Sequence, residues 1–281
     1  MENIQDLYSD SCFECSKLVT NKYSTSFSLG IKLFSKELRM PIYAIYGFVR
    51  FADEIVDTFH GHDKAKLLAK FRQDTYDAIE NKISLNPILH TFQQVVNRYN
   101  IEIDLIDAFL DSMAMDLDDY TYTTAVYKKY IYGSAEVVGL MCLRVFCDGN
   151  EQQYESLKEP ACSLGSAFQK VNFLRDLKSD FEERGRVYFP GVDYHSFSDE
   201  DKRAIEADIK KEFDDAYLGI VNLPKGARLG VYLAYVYYTQ LLSKITRETA
   251  ARLSDQRIRV SDRRKFMLLC NSAIRHRLNI F

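Results

Sequence analysis

Asp53 and Asp57 stand four residues apart in FVRFADEIVD (Phe48 to Asp57), directly after an apolar, aromatic approach, PIYAIYGF (Pro41 to Phe48). A second row lies far along the chain. In QKVNFLRDLKSDFEERGRVYFP (Gln169 to Pro190), Asn172, Asp176 and Asp180 recur at i, i+4 and i+8 after the small-residue lead-in LGSAF. That spacing puts each row on one face of a helix. Like charges at i,i+4 repel, so helix stability does not explain them. With 40 acidic residues in 281, such pairs also arise by chance, and Asp107/Asp111 and Glu151/Glu155 read as solvated pairs of that kind. The two rows differ in setting. Each lies in a long apolar stretch, offers oxygen ligands only, and has an arginine close by: Arg50 three residues before Asp53, and Arg175 beside Asp176.

Such donors suit a hard cation. Mg2+ prefers an octahedron of oxygens, keeps several waters, and is commonly held by one or two carboxylates plus substrate phosphates. Asn172 to Asp180 spans about 12 Å of helix, too long for one ion, so the row suits more than one Mg2+ bridged by a phosphate group. Two acidic helices facing each other across an aromatic, water-poor cavity would hold a molecule with a diphosphate head and a long apolar body. The arginines would reach the same oxygens through their planar fork.

The elements that must position these residues read as helices almost throughout. Pro (5) and Gly (12) are scarce, and apolar residues recur with a period near 3.6. Helices are expected over 8–22, 38–59, 63–81, 87–99, 102–118, 123–148, 151–183, 199–221, 226–253 and 262–277. Breaks fall at Asn86-Pro87, Asp148-Gly149-Asn150, Gly185, Pro190-Gly191 and Pro224-Lys225-Gly226. No linker, repeat or low-complexity tract divides the chain, so the expectation is all-α, one domain over 1–281. Tyr (19) and Phe (18) are abundant while Trp is absent. These aromatics either fill a core or line an apolar cavity.

A formal net charge of −3 gives no footprint for nucleic acid. The start, MENIQDLYSDSCFEC, carries acids and no apolar signal core, and no run approaches the roughly 18 apolar residues of a membrane span. The nearest, VVGLMCLRVF (Val137 to Phe146), is short and holds Arg144. A soluble, cytoplasmic protein is expected, with its six cysteines as reduced thiols. Cys12 and Cys15 form a CxxC without a matching second pair, which argues against zinc.

At this point the chain resembles the squalene/phytoene synthase family of head-to-head trans-isoprenoid synthases, most closely its bacterial phytoene-forming members. The likeness runs from YSTSFSLG (Tyr23 to Gly30) to QRIRVSDRRK (Gln256 to Lys265). It is anchored by RFADEIVD (Arg50 to Asp57), YIYGSAEVVGLMC (Tyr130 to Cys142), QKVNFLRDLKSD (Gln169 to Asp180) and GRVYFP (Gly185 to Pro190). The resemblance implies an isoprenoid-synthase helical bundle around a central apolar cavity. It implies two or three Mg2+, with Mn2+ as a substitute, held by Asp53, Asp57, Asn172, Asp176 and Asp180. Arg50, Gln169 and Arg175 match positions that contact diphosphate or flank the metals. Tyr23, Ser24, Thr25 and Ser26 match a segment that closes over a diphosphate, although the family often has a basic residue where Thr25 stands. Tyr46, Tyr130, Tyr188, Tyr238 and Arg257 fall where the family places cavity residues, with Tyr130 counted among the catalytic ones. Ser134 and Val138 would line the tail channel.

The same resemblance implies that two geranylgeranyl diphosphates condense to phytoene, in carotenoid biosynthesis, through a cyclopropylcarbinyl diphosphate. No NADPH is expected. Squalene-forming relatives use it and often carry a C-terminal anchor, which RHRLNIF does not resemble. Dehydrosqualene or squalene formation from two farnesyl diphosphates is the alternative. From another class comes a non-catalytic assembly factor of the same fold, which would be expected to have lost metal ligands that are all present here. An insoluble product would make peripheral membrane contact useful for its release. The sequence carries no signal for an oligomeric state.

Overall fold

Helix forms wherever the apolar periodicity runs between good caps. The computed structural model describes residues 4–118, 122–255 and 258. Along them run α1 (Ile4–Tyr23), α2 (Thr25–Ile31), α3 (Lys36–Asp57), α4 (Lys64–Asn81), α5 (Pro87–Tyr99) and α6 (Ile103–Met115). There follow α7 (Thr124–Ile131), a π-helical segment (Tyr132–Glu136), α8 (Val137–Cys147), α9 (Glu151–Arg184), α10 (Asp199–Ile220), α11 (Lys225–Ile245) and α12 (Ala250–Leu253). No strand occurs among the described residues.

The caps are local chemistry. Asn86 accepts from the backbone N–H groups of Ile88 and Leu89 with Pro87 at the first helical position, and Ser198 and Asp201 form a capping box on α10. Gly185 ends α9 in the left-handed region, φ 67°, where a glycine carries no steric penalty.

Three expectations need correction. The stretch expected as one helix over 226–253 is two, because α11 stops at Ile245. Thr249 then caps α12, and the Ala250 N–H donates to Asp199 Oδ1 (2.7 Å) at the start of α10. No glycine or proline announces that break, and a tertiary hydrogen bond holds the start of α12. Residues 25–31 form α2, started by Ser24 Oγ accepting from the Phe27 N–H. Third, the run Thr124–Cys147 is long and apolar enough to cross a membrane by length and composition, further than VVGLMCLRVF suggested. Half of its apolar window is buried within the protein, where α8 packs on α9 and α6. The helix expected over 262–277 lies outside the described residues.

Two apolar clusters flank the middle of the bundle. One gathers α3, α4, α5, α6 and α8. At its centre the fully buried Phe48 of α3 stacks on Phe92 (3.8 Å between centroids, 3° between planes), and Phe71 and Phe109 close around it. The other gathers α7, α9, α10, α11 and Phe189. Phe48 thus pins the helix that carries Arg50, Asp53 and Asp57. Phe48→Ala should lower the unfolding free energy by about 3–5 kcal/mol in a denaturant titration, the usual cost of deleting a fully buried ring.

Candidate active site

Between the two clusters lies a cavity of about 660 Å³, walled by α2, α3, α8, α9, α10 and α11. Its polarity is graded. Tyr23, Ser24, Tyr46, Arg50, Gln169, Asn172, Arg175 and Tyr238 contribute at one end. From there α9 continues through Phe168, Gly165 and Ala161 to Leu157, about 27 Å of helix from Arg175, and α8 through Val138 and Cys142 to Phe146. The long axis is apolar, and one end is polar and carries two arginines.

The polar end is assembled by ring and charge contacts between elements. Arg50 lies over the Tyr23 ring at 4.4 Å, bonds Glu54 through its guanidinium, and approaches Asp53 (3.9 Å). Tyr46 stacks on Phe27, and Tyr238 stacks on Phe168 (4.0 Å) while donating to Asn172 Oδ1 (3.2 Å). Gln169 donates to Ser134 Oγ (3.3 Å), tying α9 to the π-helical segment. Arg175 bonds Asp176 twice, at 2.5 and 3.0 Å. The Tyr46 hydroxyl feels Arg50, Asp53 and Tyr238 together, which places α3 and α11 within electrostatic reach of each other.

Not every expected residue joins the cavity wall. Ser26, Ser134 and Val138 do; Thr25 is exposed and stands off it. Tyr130 and Tyr188 are buried elsewhere, in an aromatic nest in which Tyr188 stacks on Phe173 (4.1 Å). Arg257 lies outside the described residues. Asp53, Asp57, Asp176 and Asp180 sit beyond the wall itself, on the turns of α3 and α9 that continue past its polar end.

Sequence reasoning missed Asp116 and Arg186. Asp116, at the end of α6 and only 8% exposed, accepts from the Tyr130 hydroxyl (2.9 Å) and pairs with Arg186 (3.0 Å). Its charge reaches Asp53 on one side and Tyr188 on the other, and Asp180 reaches Tyr188 as well. Asp116 therefore lies within electrostatic reach of the first acidic row and shares Tyr188 as a neighbour with Asp180 of the second. The available signal was slight: Arg186 stands just past the Gly185 cap in GRVYFP, outside the helix that carries Glu182 and Glu183.

Burial, with the charges of Asp57, Asp116 and Glu54, raises the Asp53 carboxyl to about 7 against the opposing pull of Arg50. Burial works against the charge of Arg50, but Glu54 and Asp53 outweigh it and strengthen its hold on the proton. Among the described residues no three His, Cys, Asp or Glu side chains converge as a preformed metal cage. Mg2+ needs no such cage, because it retains waters and takes oxygens from substrate phosphates. A surplus of carboxylate charge around Asp53, with oxygen donors on two helices, fits a divalent cation shared with a polyanion.

An all-α bundle with two acid-bearing helices at the polar end of an apolar cavity defines a class of isoprenoid synthase folds. The Squalene/phytoene synthase family model matches residues 20–264, and the chain belongs to that family. It is 27% identical to phytoene synthase of Arthrospira platensis, covering 96% of this chain and 94% of that protein. It is 29% identical to the chloroplastic phytoene synthase of Daucus carota, over 84% of this chain and 63% of the relative. It thus spans about 60% of the plant proteins that it matches. In fold it is similar to a dehydrosqualene synthase crystallised with a ligand (TM-score 0.82, 20% identity, 97% of this chain and 98% of that one). A squalene synthase from Alicyclobacillus acidocaldarius gives 0.75 at 18% identity, over 90% and 97% of the two chains.

An acid whose folded-state pKa lies above its unfolded value near 4 keeps its proton longer in the folded chain. Its contribution to stability therefore falls between about pH 4 and 7 and levels off above. The metal-free protein should lose thermal stability over that window relative to Asp53→Asn. Added Mg2+ should narrow the gap between the two melting curves.

Proposed function

We propose that the protein is a prenyltransferase that joins two allylic diphosphates head to head, forming phytoene from two geranylgeranyl diphosphates. The observation that carries the reading is the meeting of both acid-bearing helices, each with its arginine, at one end of an apolar cavity. Family membership and the names of the relatives support it.

In this reading Asp53 and Asp57 on α3, with Asn172, Asp176 and Asp180 on α9, would hold Mg2+. So bound, Mg2+ would stabilise charge on a departing pyrophosphate as a Lewis acid. Arg50 and Arg175 present planar donors to phosphate oxygens, with Ser24 and Gln169 as neutral donors beside them. One substrate loses pyrophosphate with its bonding electron pair, leaving an allylic cation. The C2=C3 bond of the second substrate attacks that cation, and loss of a proton closes a cyclopropylcarbinyl diphosphate. Departure of the second pyrophosphate, rearrangement to a 1-1′ linkage and a further proton loss give phytoene, without a reductant. The chain's part is to exclude water from these cations and to offer them ring faces, those of Tyr46, Phe168 and Tyr238 first among them.

Incubation with geranylgeranyl or farnesyl diphosphate and Mg2+, with and without NADPH, tests the proposal by the hydrocarbon formed. A forty-carbon product without NADPH is expected. A thirty-carbon product moves the assignment to dehydrosqualene or squalene formation, and no pyrophosphate release from either substrate leaves a non-catalytic member of the fold. Asp53→Ala and Asp176→Ala should each abolish product while circular dichroism stays close to that of the parent. Full turnover in either variant would remove that residue from the metal site.

A further inference from the structure

Behind the cavity wall, on the far face of α9, lies an ion cluster that the proposed reaction does not use. Lys170 is only 7% exposed, and its ammonium donates to Asp208 Oδ2 (2.5 Å) and Glu212 Oε1 (2.7 Å) of α10. Ser166 Oγ donates to the same Glu212 oxygen (2.7 Å), while Glu212 Oε2 is buried with no hydrogen-bond partner among the described residues. Glu136, the last residue of the π-helical segment, accepts from the Cys162 thiol and lies within electrostatic reach of both Glu212 and Lys170. Three acids therefore surround one lysine, and two of them, Glu136 and Glu212, sit in the partly dry space between helices.

The placement matters because Lys170 follows Gln169 and Glu136 lies two residues after Ser134. Gln169 and Ser134 bond each other on the cavity side. Behind them, a side chain at Gly165 would press its Cβ to 2.8 Å from the Ala135 carbonyl oxygen, so the two backbones are already in close contact. Ser166 and Lys170 lie on the side of α9 away from residues 161, 165, 168 and 172, which line the cavity, and Gln169 lies between the two sides. Any rotation of α9 that relieved the ion cluster would swing Gln169 and Asn172 away from the polar end.

We propose that Lys170 is a positioning residue: by neutralising Glu212 and Asp208 and facing Glu136, it braces α9 against α10 and the π-helical segment and so aims Gln169 and Asn172. Removing one partner of a buried ion pair leaves uncompensated charge, whereas replacing both is often tolerated. An error of about 1 Å in a binding group can cost on the order of a hundredfold in rate.

The inference rests on the proposed reaction for its kinetic readout but has a second readout that does not. Three variants separate charge balance from bulk: Lys170→Met, Lys170→Arg, and the double variant Lys170→Met with Glu212→Gln. Lys170→Met should lose about tenfold to a hundredfold in kcat/KM for the diphosphate substrate, with Lys170→Arg near the parent and the double variant recovering most of the loss. Independently of turnover, amide hydrogen exchange over residues 132–136 and 162–170 should accelerate in Lys170→Met and return towards the parent rate in the double variant. An inactive parent would sink the prenyltransferase reading and leave the exchange test standing. Unchanged exchange in Lys170→Met, or an equal defect in all three variants, would overturn the brace. Should Lys170→Met fail to fold, the double variant folding with parental exchange upholds it, and failing likewise overturns it.

Discussion

Carboxylates held partly out of water are the constraint around which this molecule is organised. A lone charge in a low-dielectric setting is costly, and the cost falls only when a cation or hydrogen-bond donor is supplied at close range. Four acids near the cavity mouth have such support within the chain: Arg50 for Asp53 and Glu54, Arg175 for Asp176, Arg186 and Tyr130 for Asp116. The support is incomplete at Asp53, whose carboxyl is pushed up to about 7 by burial and by three acid neighbours. A site left short of positive charge in this way suits the divalent cation proposed for it, and a cation held by few protein oxygens would take phosphate oxygens to complete its shell.

The apolar cavity follows from the same arrangement read in the other direction. Two packed clusters, one on α3 and one around α9 and α10, are rigid enough to leave space between them. Glycines then set how closely the walls approach. Gly165 lets α9 lie on the backbone at Ala135, and Gly133 lets the π-helical segment lie on α6, where a side chain would meet the Ala108 carbonyl. These contacts turn Ser134 and Val138 inward and leave Glu136 to be met from behind by α9 and α10. Polar head and greasy wall are therefore products of a single helix packing.

Much of this was legible in the chain. The helices over 87–99 and 151–183 match the expected bounds to within a residue, because their caps are written locally in Asn86-Pro87, Asn150 and Gly185. The two acidic rows were legible because spacing along a helix is fixed by its geometry. Other features were not. The break between α11 and α12 is accompanied by a bond from the Ala250 N–H to Asp199 of another helix, and the exposure of Thr25 depends on how α2 lies. Tyr130 and Tyr188 carry the same side chain as Tyr46 and Tyr238, yet they meet Asp116 in an aromatic nest rather than the cavity.

Amino-acid order alone determined which residues share a helical face, where most helices begin and end, and that oxygen donors with adjacent arginines form two rows. Those properties depend on interactions within a few residues of each other. The tertiary structure decided which faces meet: that Asp116 comes within reach of Asp53, that the cavity is polar at one end, and that Lys170 turns its back on it. Those outcomes depend on the mutual rotation of helices distant in sequence, which side-chain volume and buried charge select only once the bundle is packed.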